Sequence, residues 1–294
     1  MLGGKLKPMR ALLVAVALLL LVTIASAGGG TTVSDAIVYA AKPFEGKGPY
    51  RLYVLDRIGG RSRAFGAAGA PANEPNWSPD RRRIAFTGKD GIYVIEVDGR
   101  NRRRVVSIVG ADQADWAPDG RRLVFTAPSP NESEDLYRVN LDGSGLVRLT
   151  RNRNGIQASD AAWSPDGRWI AFARFVPYGL PSAQGIFVLP TQGGPIKRLT
   201  RGEDSAPAWS PDGREIAFSR GTDDIDGRIF AMNTRGKEIQ RLTVGDLDLS
   251  PAWSPDGQRL VFVRDGQLAS LIDRDGTNVK LLTPARLAAA NPDW

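Results

Sequence analysis

Five carboxylates recur along this 294-residue chain shortly ahead of a tryptophan: Glu74, Asp112, Asp160, Asp204 and Asp248, with Asn291 in the sixth such place. Acids that converge on one opening make an electronegative funnel, which concentrates a cation or a basic peptide segment. The same residue types also suit strand ends, where a short acid accepts hydrogen bonds from free backbone amides. A second group is aromatic. Phe175 and Tyr178, flanked by Pro177 and Pro181, are of the kind that dominates binding hot spots. A third, Asp223, Asp224 and Asp226 ahead of Gly227, offers the oxygen donors of a calcium site but lacks the helical-hand spacing and its distal bidentate Glu.

Histidine and cysteine are both absent. Their absence removes the commonest general base, thiolate and imidazole metal ligands, disulfides, the Ser-His-Asp triad and lipid attachment at an N-terminal cysteine. The chain also has no GxSxG elbow, no GxxxxGK loop and no HExxH helix. No cofactor is expected, and calcium at Asp223, Asp224 and Asp226 is the one metal worth weighing.

The acids are positioned by a repeat. Trp77, Trp116, Trp163, Trp209 and Trp253 open the runs WSPDRRRIAF, WAPDGRRLVF, WSPDGRWIAF, WSPDGREIAF and WSPDGQRLVF, and Trp294 ends the chain on NPDW. Successive copies lie 39 to 47 residues apart. That period predicts small sheets arranged around an axis. Each copy reads as four strands: the Trp strand; a large-small-large triplet such as Ile84-Ala85-Phe86, apolar on both faces; a third such as Ile92-Tyr93-Val94-Ile95; and a fourth such as Arg148-Leu149-Thr150. A glycine turn such as Asp98-Gly99 joins third to fourth.

In the SPDG step, proline presets φ and glycine accepts the left-handed conformation. Arg81 stands where the other copies carry that glycine, so Arg81→Gly is expected to relieve strain and stabilise the protein.

After residue 36 the chain enters a repeat in its second strand, with Ile37-Val38-Tyr39, then Leu52-Tyr53-Val54-Leu55 and Arg63-Ala64-Phe65. The missing Trp strand is the Trp294 segment. The predicted fold is therefore all-β: a six-bladed β-propeller of four-stranded antiparallel blades over residues 37–294, closed by pairing the C-terminal strand with the N-terminal blade.

Residues 1–27 read as a secretory signal peptide, with Lys5, Lys7 and Arg10, an apolar run from Ala11 to Ile24, and Ala25-Ser26-Ala27 before the cut. Residues 28–36 form a short linker. The competing reading is an uncleaved anchor, although the apolar stretch is short for a span. Cleavage lowers the formal charge from +7 to +4, too little to imply nucleic acid, and Arg81 to Arg83 and Arg102 to Arg104 read as solvated blade edges. The mature protein is expected in the periplasm, the cell wall or the extracellular fluid, as a monomer without a stable membrane span.

The repeated WSPDG and IAF phrases, the YV-type third strand and the RLT fourth strand resemble the TolB-type propeller family, also called PD40 or WD40-like repeats. The resemblance implies the propeller fold from about Ile37 to Trp294 and leaves function open, since such propellers occur as protein-docking modules, as parts of peptidases and as lyase scaffolds. The family's namesake carries an extra N-terminal α/β domain, for which residues 28–36 leave no room. Its lyases of pectin fragments use histidine-rich metal sites, which this chain cannot build.

The loops entering the Trp strands share one face with the variable loops between second and third strands, whereas the SPDG and DG turns share the other. The leading expectation is a non-enzymatic propeller of the cell envelope or secreted fluid. It binds a protein or peptide, a basic one in particular, through that loop face and the acidic channel mouth. The alternatives are a glycan or cell-wall polymer hydrolase or lyase working with carboxylates alone, and a purely structural part of a larger envelope complex.

Overall fold

The computed structural model describes residues 35–43, 48–58, 60–65, 71–176, 184–221, 226–244, 247–265, 268–273, 275–283 and 287–294. Tyr178, Asp223 and Asp224, together with the expected signal peptide, lie outside them.

Twenty-four strands are present among these residues. The N-terminal unit holds β1 (Ile37–Pro43), β2 (Arg51–Leu55) and β3 (Ser62–Phe65). Next come β4 (Asn73–Trp77), β5 (Arg83–Gly88), β6 (Gly91–Glu96) and β7 (Arg103–Val106). The third unit is β8 (Asp112–Trp116), β9 (Arg122–Pro128), β10 (Glu134–Asn140) and β11 (Val147–Arg148). The fourth is β12 (Gln157–Trp163), β13 (Trp169–Phe175), β14 (Gly185–Pro190) and β15 (Lys197–Arg198). Then follow β16 (Asp204–Trp209), β17 (Glu215–Arg220), β18 (Arg228–Asn233) and β19 (Gln240–Arg241). The last are β20 (Asp248–Trp253), β21 (Arg259–Arg264), β22 (Leu268–Asp273), β23 (Lys280–Leu281) and finally β24 (Leu287–Asp293).

The architecture is an all-β propeller of four-stranded antiparallel blades. Among the described residues, hydrogen bonding groups the strands into four sheets of four and one of eight. The large sheet arises because a single parallel bridge, Glu134↔Gln157, joins β10 to β12. The end strand β24 pairs antiparallel with β1, in register Val38↔Asp293 and Ala41↔Ala289.

Neighbouring units share their cores, which explains the two-sided apolar triplets. Ile92 and Val94 pack with Trp116, Leu123 and Phe125 of the following unit, and Ile37 and Tyr39 with Ala252, Val261 and Trp294. Within a unit, aromatic pairs tie second to third strand, as in Phe86 with Tyr93, whose ring centroids are 5.6 Å apart.

The RLT phrase fastens the outer strand. Thr150, Thr200 and Thr243 are buried, and their hydroxyls accept from the amides of Leu136, Ile186 and Ile229 at 3.0, 2.9 and 3.0 Å. Gly185 permits this approach: with φ of +131°, a Cβ there would lie 2.5 Å from the Thr200 carbonyl oxygen.

The SPDG turn is knitted as its sequence predicts. Ser164 donates to Asp166 at 2.6 Å and accepts from the Trp169 amide at 2.9 Å, and Gly167 donates to the Ser164 carbonyl. Arg81 has φ of +59°, so it does adopt the glycine conformation. Its side-chain contacts nevertheless argue against the expected gain from Arg81→Gly. The guanidinium of Arg81 lies 4.5 Å from the Trp77 ring centroid and donates to the Ala36 carbonyl at 2.5 Å, contacts that glycine would delete.

Candidate functional site

Every Trp strand carries a bulge two to three residues before its tryptophan. The register skips between Asn73 and Asn76, Asp112 and Asp115, Ser159 and Ala162, Ser205 and Ala208, and Leu249 and Ala252. The residue three before each tryptophan is left-handed, although none is glycine: Glu74, Gln113, Asp160, Ala206, Ser250 and Asn291 have φ between 47° and 54°. The bulge re-aims these side chains so that all six line one axial cavity of 430 Å³.

This places the expected acids on three different levels. Glu74 and Asp160 line the channel. Asp112 sits one residue earlier in its strand, and its carboxylate is bonded by the Thr126 hydroxyl. Asp204 and Asp248 are two residues earlier than Glu74 relative to their tryptophans and do not line the cavity. Each is fully buried in a bidentate pair: Arg220 to Asp204 at 2.6 and 3.0 Å, and Arg264 to Asp248 at 2.7 and 3.0 Å. The expectation that all five acids face the axis is thus corrected. Loop lengths ahead of the tryptophans differ, so the nearest acid in sequence is not the equivalent position in the bulge.

The channel side chains tie units together. Glu74 accepts from the Gln113 amide at 3.0 Å, the Gln113 carbonyl oxygen of the side chain from the Asp160 amide at 2.9 Å, and Asp160 from the Ala206 amide at 3.2 Å. Gln113 also donates its side-chain amide to Asp160 at 2.8 Å. Ala206 has no acceptor to continue the series, and the Ser219 hydroxyl takes the Ser250 amide instead, at 3.0 Å. Polar glue is therefore concentrated on one side of the channel.

The same one-sidedness repeats one level deeper. The residues just before each tryptophan are Asp293, Asn76 and Asp115 on one half, and Ala162, Ala208 and Ala252 on the other. Asp293 accepts from the Trp77 amide at 2.6 Å, and Asp115 from the Trp163 amide at 2.7 Å. Desolvation within the channel wall raises the carboxyl of Asp115 to about 7 and of Asp293 to about 6. Glu74 is raised to about 7, by desolvation first and then by the neighbouring charge of Asp112. Burial likewise raises Asp112, and burial with the Asp112 charge raises Glu134.

The remaining expected residues do not join this cluster. Phe175 ends β13 and is exposed, with 51% of its surface accessible. Asp226 lies 3.6 Å from Arg228 and is largely exposed. Among the described residues, no group of three or more acids could hold a metal ion, and no helix is long and apolar enough to cross a membrane. Sequence reasoning missed Gln113, Asp115 and Asp293. Counting back from each tryptophan, rather than looking for acids, finds them.

The PD40 family, described as the TolB beta propeller domain, matches residues 29–294. No curated protein matches the chain. Among solved structures, TolB from Acinetobacter baumannii is similar with a TM-score of 0.75 and 24% identity, over 89% of this chain and 67% of that one. A TolB described as putative, from Agrobacterium tumefaciens, gives a TM-score of 0.65 and 20% identity, over 87% and 96% of the two chains. A puromycin-hydrolyzing peptidase of Mycobacterium tuberculosis gives 0.60 and 16%, over 84% of this chain and 44% of the other. At these identities the likenesses concern the fold.

Proposed function

Because this chain belongs to the TolB β-propeller family, we propose that it is an exported, non-enzymatic docking module whose loop face and acidic channel mouth receive a basic segment of a protein or peptide. The proposal includes a ring of six blades, in which β8–β11 and β12–β15 count as two and the β24–β1 pair completes the first.

One observation carries the functional reading: the channel mouth is acidic on a single side. Asp112, Glu134 and Asp160 stand there beside Glu74, which is about half protonated at neutral pH, whereas Ala206, Ser250 and Asn291 are neutral. A one-sided field attracts a cation and also orients it, which suits a peptide entering with defined polarity. Phe175, exposed at the end of β13, would supply an apolar anchor, with Tyr178, outside the described residues, as the second candidate. Asp204 and Asp248 would act indirectly, by holding Arg220 and Arg264.

A carboxylate-only hydrolase has less support. Glu74 retains a proton near neutrality, as a general acid must, yet it is occupied by Thr87 at 2.8 Å and the Gln113 amide.

The test is capture from an envelope extract with the mature chain, comparing wild type with an Asp112→Asn/Asp160→Asn double variant of unchanged melting behaviour. The variant should lose basic partners and the wild type should lose them in high salt. Identical recovery in both would discard the acidic mouth as the docking element.

A further inference from the structure

The turn face, opposite the acidic mouth, carries a second feature. The residue six positions after each tryptophan lies at the seam with the next unit. At three seams it is an arginine stacked on the next tryptophan: Arg83 on Trp116 at 4.9 Å, Arg122 on Trp163 at 5.3 Å, and Arg259 on Trp294 at 4.7 Å from the ring centroid. Each of these arginines also lies near the aspartate of its own SPDG turn, 3.8 Å from Asp80, 2.8 Å from Asp119 and 3.9 Å from Asp256. Arg83 reaches further, donating to the Gly120 carbonyl of the following turn at 3.3 Å. The N-terminal seam has Ala36 at this place, and there Arg81 covers Trp77 instead.

Two seams lack the arginine: before Trp253 the equivalent residue is Glu215 and Trp253 stays buried, whereas the seam before Trp209 is open. There the equivalent residue is Trp169, which is 42% exposed, and among the described residues no cation lies over Trp209. Trp209 is half-buried, whereas the other five repeat tryptophans, Trp253 beside Glu215 included, are buried. Its indole N–H is taken by the Ala162 carbonyl at 3.1 Å, so the ring is fixed and only its face is open. A groove of 590 Å³ opens at this place, lined by Trp169, Trp209, Asp166 and Gly213. Every partner that an arginine finds at the sister seams is here: the tryptophan face, the turn carboxylate and the glycine of the following turn. Lys197 reaches the rim, but its ammonium stacks on neither ring.

We propose that the groove between Trp169 and Trp209 is a binding site for an arginine side chain of another polypeptide, which takes the seat that the chain's own arginines fill at the sister seams. The guanidinium stacks against the Trp209 face with Trp169 as the second wall, and pairs with Asp166. Ser164 and the Arg168 amide fix the Asp166 carboxylate at 2.6 and 3.0 Å, which keeps it in place before the ligand arrives. Selectivity for arginine over lysine follows from the planar fork, which can stack and pair at once. The site is independent of the acidic mouth.

The experiment follows the indole N–H signals of the seven tryptophans in the full mature chain by NMR, assigned through Trp→Phe variants, during titration with acetyl-Gly-Arg-Gly-amide and its citrulline analogue. The arginine probe should shift Trp169 and Trp209 saturably, and citrulline should bind about tenfold more weakly or not at all. Asp166→Asn, which keeps the Oδ1 acceptor of the turn, should weaken binding about threefold or more. Trp169→Arg should fill the seat from within, abolishing probe binding and raising the melting temperature. Shifts confined to other tryptophans, equal binding of citrulline, or full affinity in Asp166→Asn would each overturn the proposal. The asparagine variant keeps the question decidable even if Trp169→Arg does not fold.

Discussion

Arginine adapts four of the seams to their neighbours. Arg81 accepts an unfavourable left-handed backbone because its side chain covers Trp77, reaches the Ala36 carbonyl and lies near the buried Asp293. Relief of strain at a left-handed site amounts to about 1 kcal/mol, whereas losing a stacked cation, a charged hydrogen bond and the counter-charge of Asp293 costs about 2 to 3 kcal/mol. Arg81→Gly should therefore lower the melting temperature, and Arg81→Lys should lower it less; a higher melting temperature for glycine in thermal denaturation would refute this balance. Asp204 poses the opposite case, a fully buried acid held in a bidentate pair by Arg220, with the charge of Arg198 nearby. Removing only Arg220, as Arg220→Ala, should cost about 3 kcal/mol in denaturant unfolding, because the carboxylate is left buried without its bidentate partner. The double change Asp204→Ala/Arg220→Met should recover much of that loss.

At the scale of elements, the bulged Trp strands decide what the channel contains and how it responds to pH. Asp115, Asp293 and Glu74 hold their protons to about 7, 6 and 7 in the folded protein, while in the unfolded chain they titrate near 4. Between those values the folded state binds more protons, so their stabilising contribution is complete below about pH 4 and falls as pH rises toward 7. The slope is at most about 1.4 kcal/mol per pH unit for each group. The turn acids Asp80, Asp166 and Asp256 shift downward and act oppositely at lower pH, which makes a difference measurement necessary. Asp115→Asn retains an acceptor for the Trp163 amide and cannot ionise. Its stability relative to wild type should rise steadily from pH 4.5 to 7.5 in parallel denaturant titrations, and a flat difference would show that Asp115 is ionised throughout.

For the whole molecule, the first and last strands belong to one sheet, so the two ends of the sequence stand or fall together. Truncation after residue 286 would strip β1 of β24, leaving it paired on one side only, with β2, and remove Trp294 from the core around Ile37 and Val261. The truncated chain should lose cooperative unfolding and self-associate through the bared edge, as light scattering would reveal. N-terminal sequencing of the protein recovered from its native compartment should begin at Gly28; retention of Met1 would favour the anchor. The repeat was legible throughout, because WSPDG, IAF and RLT each perform a local task that a short stretch of residues can complete: a turn, a two-sided apolar strand, a threonine clasp. The acids were legible as residues but not as a constellation. Bulge register sets Glu74 and Asp160 on the axis and sends Asp204 and Asp248 into arginine pairs, and register depends on pairing with a strand further along the chain. Likewise Trp169 looks like one more substitution in a variable position until the sister arginines are seen lying on the following tryptophans. What the sequence determined by itself was the repeat and its turns, because these are satisfied within one unit. What only the tertiary structure decided was which side chains meet across the seams and along the axis, because those meetings join residues about 40 apart whose spacing varies from copy to copy.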